Sequence, residues 1–453
     1  MAAIVVSTVL FVRAMPPPPA SVVILGAGLT GLAAALHLRS PFLLVEREAE
    51  VGGHARSRRR GGHTFDVTGH WLHLRDPGVK ALVGRLFAAD ALVEVERRTR
   101  VHSHGVLLPY PFQANLHGLP LEVVQECLCE LIAARERQAR GAAEGRRFVD
   151  FAEARFGRGI ARHFFVPYNR KLWGPDFDRL SSAWVSRYVP VPEVAQIVGG
   201  AIGLRQEGLG YNPRFLYPRA GGIDALPRAL RAAIDAAGRG EVRTGCGVEA
   251  VDPRGRRVKL TGEADWRPYR ALVSTIPLPE LCARIEGAPA DVRAAASRLR
   301  WVRWRYLDVA TRAPVPADYH WVYVPDPGLP FFRVGVYSNA AASMAPAGRA
   351  SLYVELSARE GAIDLAAVAE GLCRVGALAR ADDLDFAEER VIEYAYVVFD
   401  DDHAQATAAI HRWLGQHGIQ SRGRYGAWVY NSMEESMIDG IAAAAWADAQ
   451  EAT

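Results

Sequence analysis

Lysine is nearly missing from this 453-residue chain: Lys80, Lys171 and Lys259 are the only ones, so almost all of its positive charge is arginine. The net charge is only +4. A strongly basic face of the kind that nucleic acid selects is therefore not expected, and nucleic acid is not a partner that this composition predicts. Cysteine is scarce as well. Cys127, Cys129, Cys246, Cys282 and Cys373 are odd in number and lack paired spacing, which excludes a disulfide framework or a zinc site and points to a reducing, cytoplasmic setting. The histidines form no ligand-spaced pairs and Gly-x-Ser-x-Gly is absent, so neither metal catalysis nor acyl transfer is expected. Long apolar runs are missing too. Ala2 to Val12 stops at Arg13, well short of the roughly 20 residues of a spanning helix, so no stable membrane insertion is expected. Residues 1–20, with the proline run Pro16 to Pro19, read as an extension without fold, and Met15 is an alternative start.

What is present is a chain half hydrophobic and long enough for two or three packed units. Ser21 to Leu25 reads as a buried strand that runs into Gly26-Ala-Gly28-Leu-Thr-Gly31, and Leu32 to Leu38 continues as helix. Gly26 permits the turn, Gly28 lets backbone N–H groups approach a pyrophosphate, and Gly31 lets helix and strand pack closely. A second apolar strand, Phe42 to Glu46, ends in an acid twenty residues after Gly26, where a carboxylate accepts bonds from ribose hydroxyls. Strand, glycines, helix, strand and acid together specify dinucleotide binding. The next segment, Val51-Gly-Gly53-His-Ala-Arg56-Ser57, resembles the extended fingerprint of the flavin amine oxidase superfamily, which implies FAD rather than NAD.

Leu119 to Ala142 and Phe148 to Arg162 have helical apolar spacing, as does Val191 to Leu204 less regularly. Leu226 to Ala237 is an amphipathic helix, followed by strands at Val242 to Val251, Val258 to Thr261 and Ala271 to Pro277. From about residue 298 to 400 the pattern alternates, which predicts an antiparallel sheet. Tyr425 to Tyr430 reads as a strand before a small-residue helix from Ser436 to Ala449, whose start is placed to face the flavin. The expected fold class is α/β: a Rossmann-like FAD-binding domain with an inserted helical domain and an antiparallel β-sheet substrate domain. The expected division is discontinuous, with residues 21–110, 205–295 and 401–453 in the FAD-binding domain, 111–204 mainly helical, and 296–400 forming the substrate sheet.

Several further segments resemble UDP-galactopyranose mutases of the eukaryotic type, over most of residues 21–446. They are Val67 to His70, Pro109 to Gln113, Phe156 to Ile160, Pro167 to Trp173, Asn212 with Phe215 to Pro218, Trp321 to Tyr323, Pro330 to Arg333 and Gly423 to Tyr430. The resemblance implies a nucleoside diphosphate sugar as substrate, with reduced flavin acting through N5 as the nucleophile at the anomeric carbon and no net redox. It also implies a reductant such as NAD(P)H or a reductase. Carried over residue by residue, it assigns His70 to the flavin ring near N5 and Arg333 to the diphosphate, with Tyr396, Tyr430 and Arg187 as further phosphate ligands. Tyr110 and Gln113 fall at the uracil end, and Asn169, Trp173, Asn212, Trp321 and Tyr323 in the sugar and flavin region. To the cofactor it assigns Gly26, Gly28, Thr30, Gly31, Glu46, Gly53, Arg56, Ser57, Gly69, His70, Val248, Arg424 and Gly440.

The chain departs from the pattern at Ala114-Asn115, at Ala340 and at Ser432 to Glu435. Those changes sit at the diphosphate and flavin edges and leave another base, another sugar or another reaction open. The alternative reading is a flavin oxidase or desaturase of the protoporphyrinogen oxidase or amine oxidase kind, which takes a hydride from its substrate. Arg333, Tyr396, Arg424 and Tyr430 speak for an anionic ligand instead.

Overall fold

A computed structural model describes residues 22–450 except 183, 184, 186–188 and 205–212. The N-terminal extension, Arg187 and Asn212 lie outside the described residues.

Strand Val22–Leu25 has no exposed residue, because it is the middle of a five-stranded parallel sheet. Its neighbours are Ala271–Ser274 on one side and Phe42–Val45 on the other, with Ile419–Ser421 and Gly240–Arg243 outermost. Continuous apolar strands suit a parallel sheet covered on both faces. Helices Leu29–His37, Ala225–Ala237 and Met433–Ala449 cover one face, and helices Leu278–Arg284 and His403–Gln416 lie on the other. The sheet thus draws strands from three distant parts of the sequence.

A second, seven-stranded sheet runs in the order Leu384–Val397, Trp301–Thr311, Ser351–Leu356, Phe331–Val336, Trp321–Tyr323, Thr99–Ser103, Val106–Pro109. It is antiparallel as expected, apart from the parallel pairing of Trp321–Tyr323 with Thr99–Ser103. The last two strands stand before residue 110, so that domain boundary, drawn from the sequence, does not coincide with the edge of a sheet. Above one face pack helices Leu121–Ala139, Phe148–Ile160, Val166–Trp173 and Val194–Ala201, whose buried aromatics share one core with Trp304, Tyr337 and Tyr353.

Two local expectations are corrected. Val242 to Val251 is two strands, not one: Gly240–Arg243 ends in the nucleotide sheet, and Val248–Asp252 begins a separate three-stranded sheet with Arg257–Leu260 and Arg267–Pro268. The Gly245-Cys246-Gly247 corner breaks the run, with Gly245 at φ +67°. Tyr425 to Tyr430 is not a strand. A single helical turn, Gly423–Gly426, replaces it, and Trp428 turns back with φ +60°, which brings Tyr430 inward. Alternating aromatics mimic a strand there although no strand among the described residues pairs with them.

Candidate active site

The nucleotide end is built from backbone. Gly26 adopts φ +94°, a left-handed conformation that a side chain resists, and Gly28 begins helix Leu29–His37 without any side-chain cap. The first amides of that helix are left to an external acceptor, the arrangement that favours an anion. A Cβ on Gly31 would fall inside the carbonyl oxygen of Gly26, so helix and turn touch there with no room for alanine. Glu46 is buried, and its carboxylate accepts from the amides of Ala27 at 2.8 Å and Glu48 at 3.0 Å. Each oxygen retains a second acceptor direction for a ribose hydroxyl. Gly52 bridges to Gly28, and Gly53 follows it with φ +59°. Arg56 lies 3.6 Å from Glu48, and the amide of Cys246, two residues before Val248, bonds the Glu46 carbonyl at 2.8 Å. These residues form one cradle. A dinucleotide fits it: an uncapped helix start, a carboxylate with spare acceptor capacity, and bare backbone at Gly28 and Gly53, which face each other.

The turn from Asp66 to Trp71 presents His70. Thr68 takes φ +59°, and Gly69 presses against Tyr353, whose Oη an added Cβ would meet at 2.5 Å. His70 Nδ1 is buried and finds no hydrogen-bond partner among the described residues. Burial holds its imidazole at about 4, partly opposed by the Val67 and Thr68 carbonyls and reinforced by the Arg424 and Arg333 charges. His54, which donates to or accepts from Tyr425 Oη at 3.0 Å, is pushed down to about 3 by burial, then by His70 and Arg424. Both rings are neutral at pH 7. An orphaned ring nitrogen beside two guanidinium groups suits a polar edge of the flavin.

The anion face lies on the antiparallel sheet. Arg333 pairs across strands with Glu355, and Nε and Nη2 donate to its carboxylate at 2.5 and 2.6 Å. Glu355 is wholly buried, so this is a bidentate ion pair inside the protein, not the surface salt bridge that an isolated arginine suggests. Nη1 stands outside that pair. Arg424 lies over three rings, 4.5 Å from Tyr430, 4.9 Å from Tyr396 and 5.6 Å from Tyr425. It donates to the carbonyls of Asn431 and Ala395. The Tyr396 and Tyr430 hydroxyls are 3.4 Å apart, and burial raises the Tyr430 phenol while Arg424 and Arg333 oppose it. Arg333, Arg424, His70, Tyr396 and Tyr430 therefore converge.

The expected base end connects to this face. Tyr110 and Tyr323 have ring centroids 5.3 Å apart, Tyr323 meets Tyr168 edge-on at 5.3 Å, and Tyr323 is the cross-strand partner of Arg333. Arg97 spans Tyr110 and Trp321, and Trp321 stacks on Trp71 at 5.8 Å. Gln113 donates through Nε2 to the Pro190 carbonyl at 2.7 Å, while Oε1 is buried without a partner among the described residues. Other residues are committed within the fold. The Trp173 indole donates to Asn169 Oδ1 at 3.1 Å, and Asn169 Nδ2 donates to Phe165 O at 2.8 Å, so each fixes the other.

Three cofactor assignments take a structural role here. The Ser57 hydroxyl donates its one proton to Asp66 at 2.6 Å and accepts from the Asp224 amide, so it has no proton left to donate to a ligand. Thr30 packs against Gly423, and Gly440 lies where helix Met433–Ala449 crosses the Thr30 carbonyl and Ala33. Gly440 is thus a helix-crossing glycine, not a ligand-facing one. The start of that helix is capped by its own residues: Ser432 and Glu435 form a reciprocal cap, while the Glu434 carboxylate accepts from the Arg75 and Asp76 amides. Sequence reasoning missed Glu355, Tyr353, His54, Tyr425 and Arg97. For Glu355 and Tyr353 a signal existed, since Tyr353, Glu355 and the strand of Arg333 alternate in register. Pairing across strands is what the linear pattern lacks.

Residues 29–312 match the family model described as flavin containing amine oxidoreductase. A structure of reduced UDP-galactopyranose mutase superposes with a TM-score of 0.87 at 26% identity, over 94% of this chain and 95% of that one. A protoporphyrinogen oxidase, provisionally so named, from Exiguobacterium sp. 255-15 gives 0.70 at 17% identity over 94% of this chain and 97% of that one. Cyclohexylamine oxidase from Brevibacterium oxydans IH-35A gives 0.69 at 18% over 95% and 99%. At their identities the two oxidases bear on the fold alone.

Proposed function

This chain belongs to the flavin-containing amine oxidoreductase family, as a mutase-like flavin enzyme within it, and on that premise we propose that it interconverts the pyranose and furanose forms of a nucleoside diphosphate sugar. The cofactor of this reading is FAD in its reduced state, with NAD(P)H or a reductase as electron source. The observation that carries it is the filling of the tyrosine pair by Arg424, 4.9 and 4.5 Å from the ring centroids. A substrate ammonium would seek those same ring faces, so a guanidinium already there favours an anionic ligand over an amine.

Bound and reduced, the flavin would supply a nucleophilic nitrogen at the anomeric carbon. The chain's residues do the rest. Gly26, Gly28, Gly31, Gly53, Arg56 and Glu46 hold the dinucleotide, and His70, neutral at pH 7, offers a hydrogen bond at the ring without adding charge. Arg333, oriented by Glu355, binds a phosphate oxygen through Nη1, and the Tyr396 and Tyr430 hydroxyls donate to the same diphosphate, which holds the leaving group in line. Tyr110, Tyr323 and Gln113 receive the base. Val248 contributes at the adenosine end, and Arg187 and Asn212 keep their assigned roles in this reading.

The test is to purify the protein, verify FAD by its spectrum, reduce it anaerobically with dithionite and titrate with UDP and other nucleoside diphosphates. Binding at least about tenfold tighter to the reduced form is the expected result, and UDP-galactose and its furanose isomer follow as substrates. Bound FAD with no response to any nucleotide overturns this reading in favour of an oxidase or desaturase.

A further inference from the structure

The turn that carries His70 is held in an uncommon conformation, and one buried hydroxyl spans it. Thr68, a β-branched residue, sits at φ +59°, a region such a residue rarely adopts and that persists only where surroundings impose it. Tyr337 Oη lies 2.7 Å from the Asp66 carbonyl and 3.1 Å from the Thr68 carbonyl. A phenol has one proton, so the two carbonyls share it and are drawn to one point. Tyr337 itself has nowhere to go. It is fully buried, its ring packs on Tyr353 at 5.2 Å, and two residues on, Asn339 Nδ2 bonds the carbonyls of Ala317 and Tyr319. Tyr337 also directly follows strand Phe331–Val336, the strand of Arg333.

We propose that Tyr337 is a positioning residue for His70: its hydroxyl pins the Asp66–Thr68 turn, so that the strand bearing Arg333 also fixes the imidazole at the flavin. The proposal rests on His70 facing the flavin, and it does not require a nucleotide sugar as substrate. A packing role for the ring alone makes a different prediction, because Tyr337→Phe preserves the ring and removes only the oxygen.

The experiment uses the FAD-loaded protein labelled with 15N-histidine, with His70→Ala assigning the His70 imidazole signals. His70→Ala is expected to alter the visible spectrum of the bound flavin. In Tyr337→Phe the flavin is retained, the His70 signals shift and broaden, and the His70 titration midpoint rises from about 4 toward the ordinary 6.5 as water reaches the ring. Thr68→Gly added to Tyr337→Phe relieves the strain that drives the released turn away from φ +59°, and is expected to reduce the His70 shift. Unchanged His70 signals in Tyr337→Phe, with lowered thermal stability only, would make Tyr337 a packing residue and overturn the proposal. A flavin spectrum indifferent to His70→Ala overturns it too. Failure of nucleoside diphosphate binding with these His70 shifts present would sink the mutase reading and leave this one standing.

Discussion

The two ends of the site are made of opposite materials. At the nucleotide end the working surface is main chain: Gly28 with an uncapped helix start, Gly26 at φ +94°, and Gly31 in contact with a carbonyl. At the anion face it is side chain: a buried Arg333–Glu355 pair, Arg424 among three tyrosines, and His70 on a strained turn. A surface of backbone tolerates no added atoms, whereas a surface of side chains tolerates exchange so long as charge remains balanced. The first end is therefore fixed across chemistries, and the second is where an enzyme of this fold acquires its substrate.

Gly31→Ala breaks the comparison hardest. The new Cβ lands on the Gly26 carbonyl oxygen, and both partners are backbone that cannot rotate away. A loss beyond about 4 kcal/mol is expected, in the range reserved for severe core lesions, with flavin absent from the purified protein. Measurement of bound flavin per chain and of the urea midpoint decides it. A yellow, stable Gly31→Ala protein would mean that helix and turn separate more easily than their contact suggests.

That asymmetry also explains what was legible in the sequence. The nucleotide cradle was readable because its requirement is a missing Cβ at fixed spacing, and glycine is the only residue that meets it. The anion face draws on strands that begin at residues 301, 331, 351 and 384 and on the turn at 423, so no window of sequence contains it. Arg333 was found by resemblance, but Glu355 lies opposite only after the strands pair in register. Gly440 was misread for the same reason, since a glycine that lets two helices cross looks in sequence like one that admits a ligand. Tyr425 to Tyr430 alternates as a strand does, yet its aromatics serve a turn around Arg424.

Removing one partner of the buried pair sharpens the comparison from the other side. Arg333→Met leaves Glu355 charged and unpaired in the interior, which costs about 3 kcal/mol or more. Arg333→Met with Glu355→Leu removes both charges and is expected to recover most of that stability while nucleoside diphosphate binding stays lost. A double-mutant cycle on urea midpoints, run beside the binding titration, separates the two effects. If the double variant is no more stable than Arg333→Met, Glu355 is held by more than its arginine.

The smallest effect is in acid. His54 at about 3 and His70, His73 and His320 at about 4 are all depressed from 6.5 mainly by burial, so the unfolded chain takes up protons first. Between pH 6.5 and about 4 acidification therefore favours unfolding. Asp66 has the opposite sign. Burial raises its carboxyl from 3.8 to about 7, against bonds from Ser57 Oγ at 2.6 Å, Tyr217 Oη at 2.5 Å and the Ile223 amide. As pH falls from 7 toward 3.8 the folded state binds that proton first and gains stability. With His63, His102, His104, His403 and His411 also held low by burial, the depressed histidines outnumber the raised carboxyls of Asp66, Asp308, Glu355 and Asp439, and the balance is a loss in acid. Asp66→Asn removes its share of the offset, so the fall in stability from pH 7.5 to pH 5 should steepen by on the order of 1–2 kcal/mol, read from urea midpoints at the two values. Parallel curves for the variant and the parent would show that Asp66 ionises normally, and that its three donors outweigh its burial.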